Sequence, residues 1–139
     1  MATTAACETL DAFHAAAARA DADAYVALLA DDFVFLGTDA SERWERAAFE
    51  AYARARFAAR NGWSYAVVER RSSVLADGVV AFDEDLRHGA LGACRSTGVV
   101  VLAGAGAWKV ARYGLSVPVP NEMVLDVVAR IREREARVP

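Results

Sequence analysis

Cysteine is nearly absent from this chain. Cys7 and Cys94 are the only two, and they stand 87 positions apart with no CxxC spacing. That excludes a disulfide framework and a cysteine-built zinc site, and two free thiols in a reducing compartment are expected. Lysine is scarcer still: of 16 basic residues only Lys109 is lysine, and 19 acidic residues leave a net charge of −3. The basic footprint of a nucleic-acid-binding domain is missing. No apolar run approaches the roughly 18 residues that span a bilayer. The opening MATTAACETLDAF has no basic stretch, and Glu8 and Asp11 interrupt it, unlike a signal peptide. A cytoplasmic protein without membrane or nucleic-acid partners is the expectation. No Gly-rich phosphate loop, nucleophile elbow or paired metal-ligand spacing occurs, so no cofactor and no metal are expected.

What is present is apolar: 55% of 139 residues, enough for a core without staples. The length suits one domain, residues 1–139. Apolar residues at helical spacing place a helix over 4–20, with Leu10, Phe13, His14 and Ala17 along it. A short helix with Tyr25, Leu28 and Leu29 inward is expected to end at Asp31-Asp32. A strand over 33–37, a loop over 38–45 and a helix over 46–60 follow. Gly62 is expected to supply the left-handed residue that stops the last of these. From Trp63 the pattern changes to four long strands, with turns at Asp77-Gly78, 89–92 and 104–106. Asn121 caps a final helix, in which Val124, Leu125, Val128 and Ile131 are expected to face inward. The order is ααβαββββα, an α+β domain.

Several segments are specific. FLGTDASERW (35–44), Trp63-Ser64-Tyr65, Phe82-Asp83-Glu84, Arg95-Ser96-Thr97-Gly98-Val99, and Trp108-Lys109-Val110 with Tyr113 and Pro120-Asn121 recur in order. Together they resemble the nuclear transport factor 2-like superfamily, in its SnoaL-like and ketosteroid isomerase-like branch. The resemblance covers nearly the whole chain. It departs at Arg46 and Ser96, each where a glycine is usual, and at Gly114, where a polar residue is. It implies a cone-shaped domain whose curved, mostly antiparallel sheet encloses a pocket, and a homodimer formed through the outer sheet face. It implies no single reaction, because this fold carries isomerases, cyclases, dehydratases and binding modules.

Strand alternation places the polar candidates. Val80, Phe82, Glu84 and Leu86 share the more apolar face of their strand, with Asp83 and Arg87 on the other. Trp108, Val110, Arg112 and Gly114 share one face of the last strand. Pairing across Asp77-Gly78 then gives an inward row Arg71, Glu84, Gly98, Arg112, which a one-residue slip would break. On that register Val68, Ala111, Tyr113 and Leu115 form an outer apolar patch suited to a dimer. The carboxylate between two guanidiniums has three readings: a buried ion-pair network, a base, or a holder of arginines that anchor an acidic ligand. Asp83 is the rival base. Tyr25, Tyr52 and Tyr65 are candidate neutral donors to an enolate. His14 is read as a pocket-lining or core histidine, and Asp39 and Glu42 as loop caps.

The expectation is a domain that binds a small, partly apolar acid or carbonyl compound. Trp63, Tyr65, Phe82, Trp108, Tyr52 and His14 would form the wall, with Arg71 and Arg112 at the polar end. The alternative is an isomerase- or cyclase-type enzyme with Glu84 or Asp83 as general base. A catalyst of that kind needs a carboxylate free of tight arginine pairing.

Overall fold

In the first helix, small and large apolar residues recur at positions 6, 10, 13 and 17, and all of these are buried. This stripe sets the architecture, because it needs a sheet face to cover it. The computed structural model describes residues 1–139. The elements run α1 (Ala2–Ala18), α2 (Ala22–Val26), β1 (Leu29–Leu36), β2 (Arg43–Glu45), α3 (Arg46–Ala58), β3 (Ala66–Ala76), β4 (Val79–His88), β5 (Gly92–Leu102), β6 (Trp108–Ser116) and α4 (Val124–Arg137). One six-stranded sheet has the order β2-β1-β6-β5-β4-β3. Only the β1–β6 pair is parallel; the other neighbours are antiparallel. The sheet curves under α1, α2 and α3 without closing. The α+β cone is therefore the observed fold.

The core lies between this concave face and the helices. Phe13 stacks on Tyr25 with ring centroids 4.5 Å apart, and Phe35 on Phe49 at 4.6 Å. Val80, Phe82, Val100, Val110 and Tyr113 supply the sheet side. Asp21 starts α2: its carboxylate accepts from the Ala24 N–H, a normal N-cap bond.

Several expectations need correction. Asp31-Asp32 does not end α2; the chain is already in β1 from Leu29. A three-residue strand, β2, lies inside the segment read as a loop. The left-handed residue after α3 is Arg60 (φ 56°), not Gly62. Gly62 is required for another reason. A Cβ there would run into the Ala17 carbonyl, against which the Trp63 N–H also packs at 3.3 Å. Helix α4 buries nothing in the chain, and Leu125 is 81% exposed. The concave face is already taken by α1 and α3, so the α4 stripe has no surface left to meet.

The largest correction is register, caused by bulges in β3 and β6 and by the turn that joins β4 to β5. Ala76 does pair with Val79, but β3 shifts between Val74 and Ala76, so Arg70 faces Glu84 and Arg71 faces Asp83. In β6 the pairing jumps from Val99–Arg112 to Val100–Val110, leaving Ala111 as the extra residue. A bulge inverts the alternation beyond it. Trp108 and Val110 face inward as expected, but so do Tyr113 and Leu115, while Arg112 turns out. Glu84 pairs with Ser96 rather than Gly98. The row Arg71, Glu84, Gly98, Arg112 is replaced by Arg70, Glu84, Ser96, Leu115. The outer patch of Val68, Ala111, Tyr113 and Leu115 does not form either, since Tyr113 is buried.

Gly98 sits at the β6 bulge. A Cβ there would collide with the Arg112 carbonyl and lie 2.7 Å from Phe82 Cζ. The Phe82 ring fills the space beside Gly98. Gly98→Ala should therefore destabilise the fold by about 1–3 kcal/mol through overpacking. Urea unfolding measures this directly; an unchanged midpoint would remove the bulge from the account.

Candidate functional site

Glu84 lies on β4, in the middle of the sheet, and is wholly buried. Four side chains from four elements converge on its carboxylate. Ser96 of β5 donates its hydroxyl to Oε1 at 2.7 Å, and Tyr113 of β6 donates to the same oxygen at 3.2 Å. Arg70 of β3 donates Nε–H to Oε2 at 2.8 Å, with its Nη2 2.7 Å from that oxygen in ion-pair contact. His14 of α1 places Nε2 at 2.9 and 3.2 Å from the two oxygens. Arg70 continues outward: Nη1 donates to Asp11 at 2.8 Å and to the Cys7 carbonyl at 3.3 Å, both on α1.

Burial opposes the charge on Glu84. The donors from His14, Ser96 and Arg70 outweigh it and hold the carboxyl at about 2, below its ordinary 4.5. The carboxylate is ionised at neutral pH. Burial, with Glu84 adding to it, pushes the Tyr113 hydroxyl well above its usual range, and burial does the same to Tyr25. Both phenols are neutral donors.

Beside this cluster opens a cavity of about 280 Å³ between the helices and the sheet. His14, Tyr25 and Tyr113 lie along it, with Phe13 and Phe35 as apolar neighbours. Trp44, Tyr52, Trp63 and Tyr65 make further aromatic wall. The one guanidinium that lines it is Arg56 of α3. Its Cζ stands 5.0 Å above the Trp63 ring, and it donates to the Asn61 carbonyl at 2.8 Å and to the Tyr52 hydroxyl at 3.0 Å. Glu42 lines the cavity too, with its carboxylate accepting from the Asp39 N–H. No helix is long and apolar enough to cross a membrane.

Of the residues singled out from sequence, the structure brings His14, Tyr25, Glu42, Tyr52, Trp63 and Tyr65 to the cavity. Glu84 stands behind His14 rather than on the wall. Phe82 and Trp108 pack in or against the core away from the cavity. Asp83 is on the outer face, paired with Arg71 at 3.0 Å; Arg71 also meets Glu69 and Asp85. Arg112 donates to the carbonyls of Asp32 and Ala111 at 2.7 Å, far from Glu84. Sequence reasoning missed Arg56, Arg70, Ser96 and the inward Tyr113. Arg56 had a signal, since it stands four residues after Tyr52 on the apolar stripe of α3. Ser96 had one too: it departs from the resembled pattern, and its hydroxyl is the shortest donor to Glu84. Arg70 and Tyr113 had none, because bulges decide their faces.

Fold and site define an α+β cone with an aromatic cavity of small-molecule size beside a buried, ionised carboxylate. The chain belongs to the SnoaL-like domain family, whose pattern matches residues 7–120. No curated protein sequence matches it. Solved structures that resemble it include an NTF2-like protein of unknown function from Pseudomonas putida KT2440, at 17% identity and TM-score 0.69, covering 87% of this chain and 92% of that one. Another is a ketosteroid isomerase-like protein from Erwinia carotovora atroseptica, at 19% identity and TM-score 0.60, covering 84% and 96%. A protein with a cystatin-like fold from Caulobacter vibrioides gives 15% identity and TM-score 0.68 over 92% and 97%. At these identities the likeness carries the fold and not a reaction.

The Glu84 cluster makes a pH-dependent contribution. Its folded pKa is depressed, so its stabilisation is full above 4.5 and is lost as pH falls toward about 2. Arg70→Met strands a buried charge and should cost about 3–5 kcal/mol at neutral pH. The gap between variant and wild type should narrow as pH falls from 4.5 toward 2. Denaturant unfolding across that range reads both; a gap that is absent, or constant with pH, would contradict the arrangement.

Proposed function

We propose that the cavity binds a small, partly apolar molecule carrying a carbonyl or acidic group. The observation that carries this reading is the cavity's composition: aromatic walls, neutral tyrosine hydroxyls, and a single guanidinium, with the one lining carboxylate, Glu42, turned to the Asp39 N–H. Apolar wall supplies most of the buried area of a small ligand, and a few polar groups orient it. Arg56 replaces Arg71 and Arg112 as the group that would meet the polar end. Two of its nitrogens already donate to Asn61 and Tyr52, while its Nη2 makes no hydrogen bond within the protein. A carboxylate or carbonyl oxygen could accept there.

The saturated shell of Glu84 weighs against the reading in which that carboxylate is itself the base. Its lone pairs are engaged by four side chains, and it lies behind His14. Asp83 lies on the opposite sheet face. Binding is therefore favoured over catalysis by a pocket carboxylate. Homodimerisation remains part of the proposal, now through an outer face that presents Ala81, Thr97, Val99 and Val101 on β4 and β5.

A thermal-shift panel of aromatic acids, keto acids and neutral lactones tests the binding reading. A ligand at a hundred times its dissociation constant adds about 2.7 kcal/mol of stability. Acids or carbonyl compounds should raise the melting temperature, and Arg56→Met should weaken the acids more than the lactones. Shifts from amines alone, or an unchanged acid response in Arg56→Met, would overturn it.

A further inference from the structure

We infer that His88 is a second ligand-binding group of this cavity, a neutral N–H donor that selects acids bearing a hydrogen-bond acceptor about one aromatic ring away from their carboxylate. The inference rests on the binding reading above and narrows its ligand class. His88 is the last residue of β4 and pairs with Gly92, so it closes the turn over 89–91. Its Nδ1 accepts from the Ala90 and Leu91 N–H groups, each at 3.1 Å. The imidazole thus does what an Asn or Asp side chain does in a turn, taking backbone donors just downstream. A ring nitrogen that accepts two N–H groups carries no proton. The ring is the neutral tautomer protonated on Nε2, on the edge away from the turn. That N–H makes no hydrogen bond within the protein and is not among the buried groups left without a partner. His88, Ala90 and Leu91 all line the cavity. Glu42, the lining carboxylate, is turned to the Asp39 N–H and does not take this donor.

The chain itself sets the spacing between His88 and Arg56. Arg56 stands over Trp63, 5.0 Å from the ring centroid, and His88 packs on Tyr65 with centroids 4.8 Å apart. Trp63 and Tyr65 are two residues apart, and both line the cavity. Two residues span at most about 7 Å, on the scale of a benzene ring and its para substituents. Burial raises the pKa of the Tyr65 hydroxyl, and the Arg56 charge is near enough to oppose that rise.

Both donors are set in place before a ligand arrives. Arg56 is held by the Asn61 carbonyl and the Tyr52 hydroxyl, and His88 by its turn, so little side-chain freedom is lost on binding. The carboxylate takes the free Nη2 of Arg56, and an acceptor oxygen at the far end of the ligand takes the Nε2–H of His88. An apolar group at that end leaves the donor unmatched. The ligand class is a flat aromatic acid with a carbonyl or carboxylate oxygen para to its carboxylate.

The experiment uses the whole chain with two acids of one shape, 4-acetylbenzoate and 4-isopropenylbenzoate, which differ in the acceptor oxygen. His88→Asn keeps an oxygen where Nδ1 accepts from the turn, and its amide ends short of the Nε2 position. Calorimetric titration should show this variant binding the acetyl compound about three- to tenfold more weakly, with the isopropenyl compound changed by less than about twofold. A second readout needs no change at position 88. The chain has two histidines, so a ¹⁵N-histidine spectrum holds two rings, and His14→Gln assigns them. The His88 ring should carry its proton on Nε2, and that signal should move with the acetyl compound and not with its partner acid. A proton on Nδ1, an Nε2 signal indifferent to the acetyl compound, or equal losses for both acids in folded His88→Asn overturns the inference. The binding reading survives each of these where Arg56→Met weakens both acids. Binding of neither acid overturns both for aromatic acids.

Discussion

A single buried charge organises this domain. The Glu84 carboxylate is the point at which α1, β3, β4, β5 and β6 are tied by polar bonds. The cost of burying it is offset only when every donor is in place. Arg70 is the essential link, since it grips Glu84 with one edge and α1 with another through Asp11 and the Cys7 carbonyl. Exposed pairs elsewhere, such as Arg71 with Asp83, carry little by comparison, because solvent screens them. The helix that closes the cone is thus positioned twice: by the apolar stripe of Leu10, Phe13 and Ala17, and by this polar clamp.

The clamp also shapes the cavity. With His14 pinned to Glu84 and Tyr113 turned inward by the β6 bulge, the wall beside the cluster presents an imidazole and neutral phenols rather than a free carboxylate. The mouth side is built by α3, where Arg56 stacks on Trp63. A cavity so arranged has neutral polar groups along its wall, one guanidinium at Arg56, and the Glu42 carboxylate, which accepts from the Asp39 N–H. This supports the reading as a site for a carbonyl or acidic compound with a flat apolar body.

How much of this was legible in the sequence follows from where the backbone is regular. The inward set Val80, Phe82, Glu84, Leu86 could be read because β4 alternates without interruption. The helical stripe of α1 and the Asp77-Gly78 turn were readable for the same reason. The partners of Glu84 were not. The extra residues at Leu75 and Ala111 each shift a strand by one, and nothing in their local composition marks a bulge. Arg70 and Tyr113 were therefore assigned to the wrong faces, and Arg71 and Arg112 were moved inward in their stead. Ser96 was legible as a departure from the resembled pattern, but not as a donor. The stripe of α4 looked like core because periodicity records amphipathicity and not whether a surface is free to receive it.

The claim on which the rest depends is that Glu84 is ionised while buried. A ¹³C titration of its side-chain carboxyl tests this most directly. The account predicts a carboxylate chemical shift at neutral pH that stays unchanged as pH falls through 4.5, with titration only near 2. A Glu84 carboxyl that took up its proton at or above 4.5 would contradict it.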